Sequence, residues 1–170
     1  MIMKLTRAAI GLDWWKTLLS RRPHFIIGGA DDPYMFRWYL IPRNRRFNIY
    51  LHKFLRDDDD RALHDHPWWF LSWIIKGGYW EVVPHRDGGP GNTVLRRGRF
   101  SLAFRRATHR HRVVLFPTLA GKRQPCWTLV ITGRPKRTWG FWCPKGFVPW
   151  KEFVAADDKG NIGRGCGEMG

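Results

Sequence analysis

Acidic residues, serine, cysteine and long apolar runs are all scarce in this chain. Only 14 Asp and Glu stand against 30 Lys and Arg, a formal net charge of +16 over 170 residues. Cysteine occurs three times, an odd number with no Cys-x-x-Cys spacing. That excludes a disulfide-dense secreted scaffold, so Cys126, Cys143 and Cys166 are expected to be buried thiols. Serine occurs only as Ser20, Ser72 and Ser101, with no nucleophile elbow, which argues against a serine hydrolase. No stretch approaches the ~20 apolar residues that a membrane helix needs. The first twenty residues carry Lys4, Arg7, Asp13 and Lys16 and show no uncharged h-region or cleavage site, so a reducing cytoplasm is the expected compartment. There is no internal repeat. Gly165 to Gly170 matches a Gly-x-Gly-x-x-Gly pattern, but no helix follows it, so it carries no nucleotide-binding signal.

What is abundant is aromatic: 11 Trp and 11 Phe within a 44% hydrophobic composition, enough for one ordinary core. Residues 3–20 have Leu5, Ala8, Ala9, Leu12, Trp15 and Leu19 at helical spacing. This reads either as a helix packed on the domain's edge or as a basic helix on an anionic surface. From Tyr34 on, the texture is β. Tyr34–Ile41 is aromatic and closed by Pro42, and Phe47, Ile49 and Leu51 alternate onto one face. Trp68–Ile75 suits a strand buried on both faces, Gly77-Gly78 suits a hairpin, and Tyr79–Val83 returns. Strands are also expected over 93–106, 110–116, 127–132 and 138–142, with most tryptophans in the core. Short strands with frequent Gly/Pro turns imply an all-β sandwich or barrel. The expected division is a helix and linker over 1–28, a β domain over 29–156 and a mobile Gly-rich tail over 157–170.

Four of the seven histidines form two pairs, His64-Asp65-His66 and His109-Arg110-His111. Residues i and i+2 of a strand face one side, so each pair can aim two imidazoles at one point. Imidazole is a common ligand for Zn, Fe, Ni and Cu. The alternative for both pairs is that they are surface histidines facing water, beside the acids Asp57–Asp60 in one case and Arg105, Arg106, Arg110 and Arg112 in the other.

The segment His64-Asp-His66-Pro-Trp-Trp-Phe-Leu-Ser-Trp-Ile-Ile-Lys-Gly77 resembles the first cupin motif, and Gly98 to His111 resembles the second. Over about residues 34–150 the chain looks similar to small phage-type and bacterial cupins with His-Asp-His-Pro-Trp, Gly-Gly-Tyr and Trp-Gly-Phe signatures. The resemblance implies a double-stranded β-helix, the jelly-roll barrel, with a divalent metal (Fe, Mn, Ni or Zn) held by His64, His66 and His111. Spacing from Gly98 favours His109 instead of His111, so both stay open. The family's glutamate falls at Phe70, which cannot bind metal. Glu81 follows the hairpin signal and is expected to lie too far along it to be a ligand. Asp60 and Asp65 are the other nearby carboxylates, with Asp65 alternating away from its neighbours.

Arg86 to Arg137 holds 13 Lys and Arg and one acid, Asp87. Inward arginines would suit a small anionic ligand, with Arg97, Arg99 or Arg106 as the expected clamp. Outward ones would suit nucleic acid, with aromatic rings as stacking platforms. Two functions follow as expectations. One is a metal-dependent oxygenase or related small-molecule enzyme, for which no general base stands out. The other is a non-enzymatic phage- or prophage-type accessory protein binding nucleic acid or an acidic partner. Tyr34–Ile41 is a candidate strand for a homodimer.

Overall fold

The computed structural model describes residues 7–58, 62–154 and 163–167. In chain order the elements are α1 (Arg7–Leu19), β1 (Phe25–Ile27), β2 (Met35–Tyr39), β3 (Asn48–Phe54), β4 (Leu63–His64), β5 (Phe70–Lys76), β6 (Tyr79–Pro84), β7 (Asn92–Arg97), β8 (Leu102–Arg105), β9 (Arg112–Leu115), β10 (Cys126–Thr132), β11 (Gly140–Cys143), β12 (Gly146–Pro149) and α2 (Trp150–Phe153). A six-stranded sheet runs β1-β2-β3-β10-β5-β8, and two three-stranded sheets run β7-β6-β9 and β12-β11-β4. Their strand pairs are antiparallel, and no sheet closes on itself. The fold is therefore a jelly roll of facing sheets rather than a continuously bonded barrel. Among the described residues no helix is long and apolar enough to cross a membrane.

Three chain paths differ from the sequence reading. Gly77-Gly78 does not make a hairpin: β5 pairs with β10 and β8, whereas β6 pairs with β7 and β9. The chain crosses between sheets there. Gly77 has φ +79°, and a Cβ on it would stand 2.6 Å from Pro125 O, so only glycine fits the crossing. The expected strand over 93–106 is two strands, β7 in one sheet and β8 in another, separated by a crossing where Phe100 adopts φ 68°. The third difference is a face. In β3 the buried side chains are Asn48, Tyr50 and His52, not Phe47, Ile49 and Leu51. This face of β3 turns toward a cavity that Tyr50 and His52 help line, so the alternating Phe47, Ile49 and Leu51 point outward.

That inversion also explains the tryptophans. Trp38 is the buried one, whereas Trp69, Trp73 and Trp80 are exposed on outer faces. β5 is buried on one side only, with Trp73 on the other. Trp38 stacks on Trp127 at 5.5 Å between ring centroids. Helix α1 begins at Arg7, with residues 3–6 outside the described residues, and packs on β2, where Trp14 Nε1 donates to Tyr39 O at 2.8 Å. Trp15 is exposed.

The cysteines also depart from expectation. Cys143 and Cys166 are joined in a disulfide, and only Cys126 is a free, buried thiol. Of the expected mobile tail, residues 163–167 return to the fold: Gly163 N and Gly165 N both donate to Phe153 O.

Candidate metal centre

His64 closes β4, and a short antiparallel bridge to His111 fixes it by two backbone hydrogen bonds of 2.8 and 2.9 Å. His66 lies two residues on, anchored by its N–H to Ala107 O at 3.2 Å. The intervening Asp65 turns the opposite way, as alternation requires. It is 1% exposed, and it accepts hydrogen bonds from Arg137 Nη1 (2.6 Å), Gly140 N (3.1 Å) and Trp142 Nε1 (3.2 Å). Asp65 thus ties the histidine segment to β11 and is not a ligand. Asp60 lies outside the described residues.

His64, His66 and His111 converge. One ligand nitrogen from each lies within 4.8 Å of the others. His66 Nε2 and His111 Nε2 are 3.0 Å apart. Two nitrogens each bound at ~2.1 Å to one ion are separated by roughly 3.0–3.5 Å, so this spacing fits a shared metal. Burial pushes His64 down to about 4 against a partial opposing pull from Asp58, whose Oδ2 lies 3.7 Å from His64 Nδ1. Burial, and then the neighbouring histidines, hold His66 well below its usual value. Neutral imidazoles keep their lone pairs free for a cation.

Glu81 is buried at 0% exposure because the β5–β6 crossing brings β6 to the facing sheet, where Glu81 pairs with Val113 of β9. His109 Nε2 and His111 Nδ1 each donate to its Oε1 at 3.2 Å. Arg105 Nε donates to Oε1 at 2.7 Å, Arg105 Nη2 donates to Oε2, and Arg97 Nε donates to Oε2 at 2.9 Å. Burial alone would raise this carboxyl. The bonds from His109, His111 and Arg105 outweigh it and hold Glu81 far below the carboxylate range. Glu81, His109 and His111 form a second group of metal-ligating types. However, five donors fill the ~four lone-pair sites of a carboxylate, and three of them belong to two guanidinium groups that repel a cation. Glu81 instead orients His111: by accepting from Nδ1–H, it leaves the Nε2 lone pair facing His66.

The expected arginines stand elsewhere. Arg97 is engaged by Glu81, and Arg99 and Arg106 are exposed, Arg99 over the Phe100 ring. None of the three lines the cavity of about 330 Å³ beside the histidines. That cavity is lined by Arg37, His52, Thr128 and Thr132, together with aromatic rings. Sequence reasoning passed over Arg37 and His52. A lone cation inside the aromatic strand Met35–Tyr39, and a histidine alternating with Tyr50, were the available signals.

No family model and no curated protein matches this chain. Solved structures do. The polyketide cyclase RemF from Streptomyces resistomycificus is 21% identical, covering 68% of this chain and 72% of its own, with a TM-score of 0.47. Hydroxypropylphosphonic acid epoxidase from S. wedmorenis is 14% identical over 67% of this chain and 56% of its own, with a TM-score of 0.46. A cupin-2 domain protein from Rhodospirillum rubrum is 12% identical over 72% of this chain and 76% of its own, with a TM-score of 0.52. Such identities speak to fold and not to activity. Strand order, facing sheets and the last of these similarities together give this chain the fold of the cupin superfamily.

Proposed function

We propose that this protein is a metal-dependent cupin enzyme in which His64, His66 and His111 hold one divalent ion, Fe, Mn, Ni or Zn, beside a cavity for a small anionic substrate. The approach of His66 Nε2 to His111 Nε2, with His64 alongside, carries the reading. Three imidazole ligands leave coordination positions open, and the ion would supply Lewis-acid or oxygen-binding chemistry there. The chain's own residues do the rest. Glu81 fixes the tautomer and angle of His111. Asp65 holds the His64–His66 segment against β11. Phe70, 4.7 Å from His66 between ring centroids, and Trp139, stacked on it at 6.3 Å, keep water from that flank. An oxygenase or a related small-molecule enzyme is the reaction class that suits such a site.

The test is elemental analysis of the protein as purified and after incubation with each of the four metals. About one equivalent is expected in the wild type, and none in the His64→Ala/His66→Ala protein with its far-UV circular dichroism retained. Failure of the wild type to take up any of the four overturns the proposal. The same variant separates the second reading, favoured by the exposed Arg99, Arg106 and Arg110. A nucleic-acid binder would keep its affinity in that variant and lose it steeply with salt.

A further inference from the structure

We infer that the cavity contains an anion subsite centred on Arg37, which takes the carboxylate of a small, largely apolar organic acid. This deepens the reading above by naming the substrate class for the same cavity.

Register puts the parts together. Arg37 of β2 stands opposite His52 of β3, which stands opposite Thr128 of β10, so all three project from one face of the sheet, and all three line the cavity. Arg37 Nε donates to His52 Nε2 at 2.9 Å, and its guanidinium lies 5.0 Å from the Tyr50 ring centroid. Burial and Arg37 together lower His52 well below its usual value, which leaves it neutral and able to accept. Beyond that one bond, the Arg37 guanidinium has no hydrogen bond or ion pair with a described residue. Asp58 is the carboxylate that lines the cavity and Arg56 the other arginine there, and both are already engaged. Asp32 pairs with Arg56 at 3.2 Å, Asp57 pairs with Arg123 at 2.7 Å, and Asp58 accepts from Tyr34 and from Val113 N.

An unpartnered hydroxyl lies on the same face, on Thr128 opposite His52. Thr128 Oγ1 and Thr132 Oγ1 are buried without a hydrogen-bond partner, on residues 2% and 1% exposed. Thr132 lies four residues along β10, about 13 Å away and near the phenol of Tyr50, whose pKa burial raises, so Thr128 carries the case. A buried hydroxyl without a partner is costly, and a native fold that keeps one beside the half-buried Arg37 has a use for it. The planar fork of arginine matches a carboxylate. One guanidinium and one hydroxyl suit a single negative charge, not the two of a phosphate monoester. Phe25, Phe54, Phe70, Phe141 and Phe153 are among the other residues that line the cavity. Its volume of about 330 Å³ suits a small acid with an apolar body.

Calorimetry on chelator-treated protein tests this, comparing phenylacetate with its neutral isostere phenylacetamide. Working without metal keeps carboxylate–metal bonding out of the result. The acid is expected to bind about tenfold or more tightly than the amide. Arg37→Met should abolish that preference, and Arg37→Lys should keep part of it. Thr128→Val, an isosteric change that leaves the packing intact, should weaken the acid several-fold and leave the amide unchanged. Equal affinities in the wild type, no binding of the acid, or an undiminished preference in Arg37→Met would each overturn the inference. If Arg37→Met does not fold, the wild-type ratio and Thr128→Val still decide. Metal content measured on the same preparations keeps the two proposals apart: an acid preference without metal uptake sinks the metal centre alone.

Discussion

His52, His64 and His66 are each held neutral by burial, and each gives up protons that an unfolded chain would bind. A histidine whose folded value is depressed contributes stability fully present above the unfolded value of ~6.5 and lost as pH falls through it. For His64 the window runs from about 6.5 down to about 4. A shift of that size is worth about 3 kcal/mol once complete. The metal-free protein is therefore expected to lose stability steadily between pH 7 and pH 4.5, as read by urea midpoints, and His52→Gln should flatten part of the slope. A midpoint that does not move over that range contradicts the burial of these rings. At this scale the sequence was informative where chemistry is repeated. His-x-His twice over, with Asp65 turned away, is written in alternation alone. Arg37 was not legible, because a cation in an aromatic strand looks like an outward residue until the sheet's polar face is known to point inward.

Glu81 joins elements rather than residues. It sits on β6 in one sheet and binds Arg105 on β8, the edge of the facing sheet, and Arg97 on β7. Glu81 is 0% and Arg105 6% exposed, so the pair is a buried contact between the walls. Removing the carboxylate charge leaves a buried guanidinium uncompensated. Glu81→Gln is expected to cost about 3–5 kcal/mol in denaturant unfolding. It should also weaken metal binding by about 10–100-fold, because His111 loses the acceptor that sets its tautomer. If metal affinity is unchanged at matched folding, Glu81 serves stability alone. The role of Glu81 is hidden in the sequence by one mistaken element. Taking Gly77-Gly78 as a hairpin puts Glu81 far along a ribbon, whereas the crossing between sheets puts it against His111. The split of 93–106 into β7 and β8 was hidden for the same reason: a run of alternating arginines gives no sign, apart from Gly98, of where the chain changes sheets.

The molecule as a whole carries its charge on an aromatic surface. Arg110 lies 3.4 Å from the Trp142 ring centroid, Arg96 lies 5.2 Å from that of Phe116, and Lys53 lies 5.4 Å from that of Trp127. Cations laid over these rings cover part of the aromatic surface, although Trp69, Trp73 and Trp80 stay exposed, in a chain of net charge +16. The same economy appears at the chain's end. Cys166 is bonded across 23 residues to Cys143 of β11, beside the buried Phe153, and Phe141 stacks on Phe153 at 3.6 Å between centroids. β11 also receives Asp65 through Gly140, so the pinned segment backs the histidine-bearing loop. Closing a loop of this length restricts the unfolded chain by about 3 kcal/mol. Cys166→Ser, or reductant, is expected to lower the unfolding free energy by up to about that amount. The change should also speed hydrogen exchange at Gly140 N and His64 N, both held in this region. A thiol count on denatured, unreduced protein gives the prior check: one reactive thiol, from Cys126, if the bond is present, and three if it is not. With the bond present, exchange at Gly140 unchanged by Cys166→Ser would show that the disulfide pins the end of the chain without supporting the site.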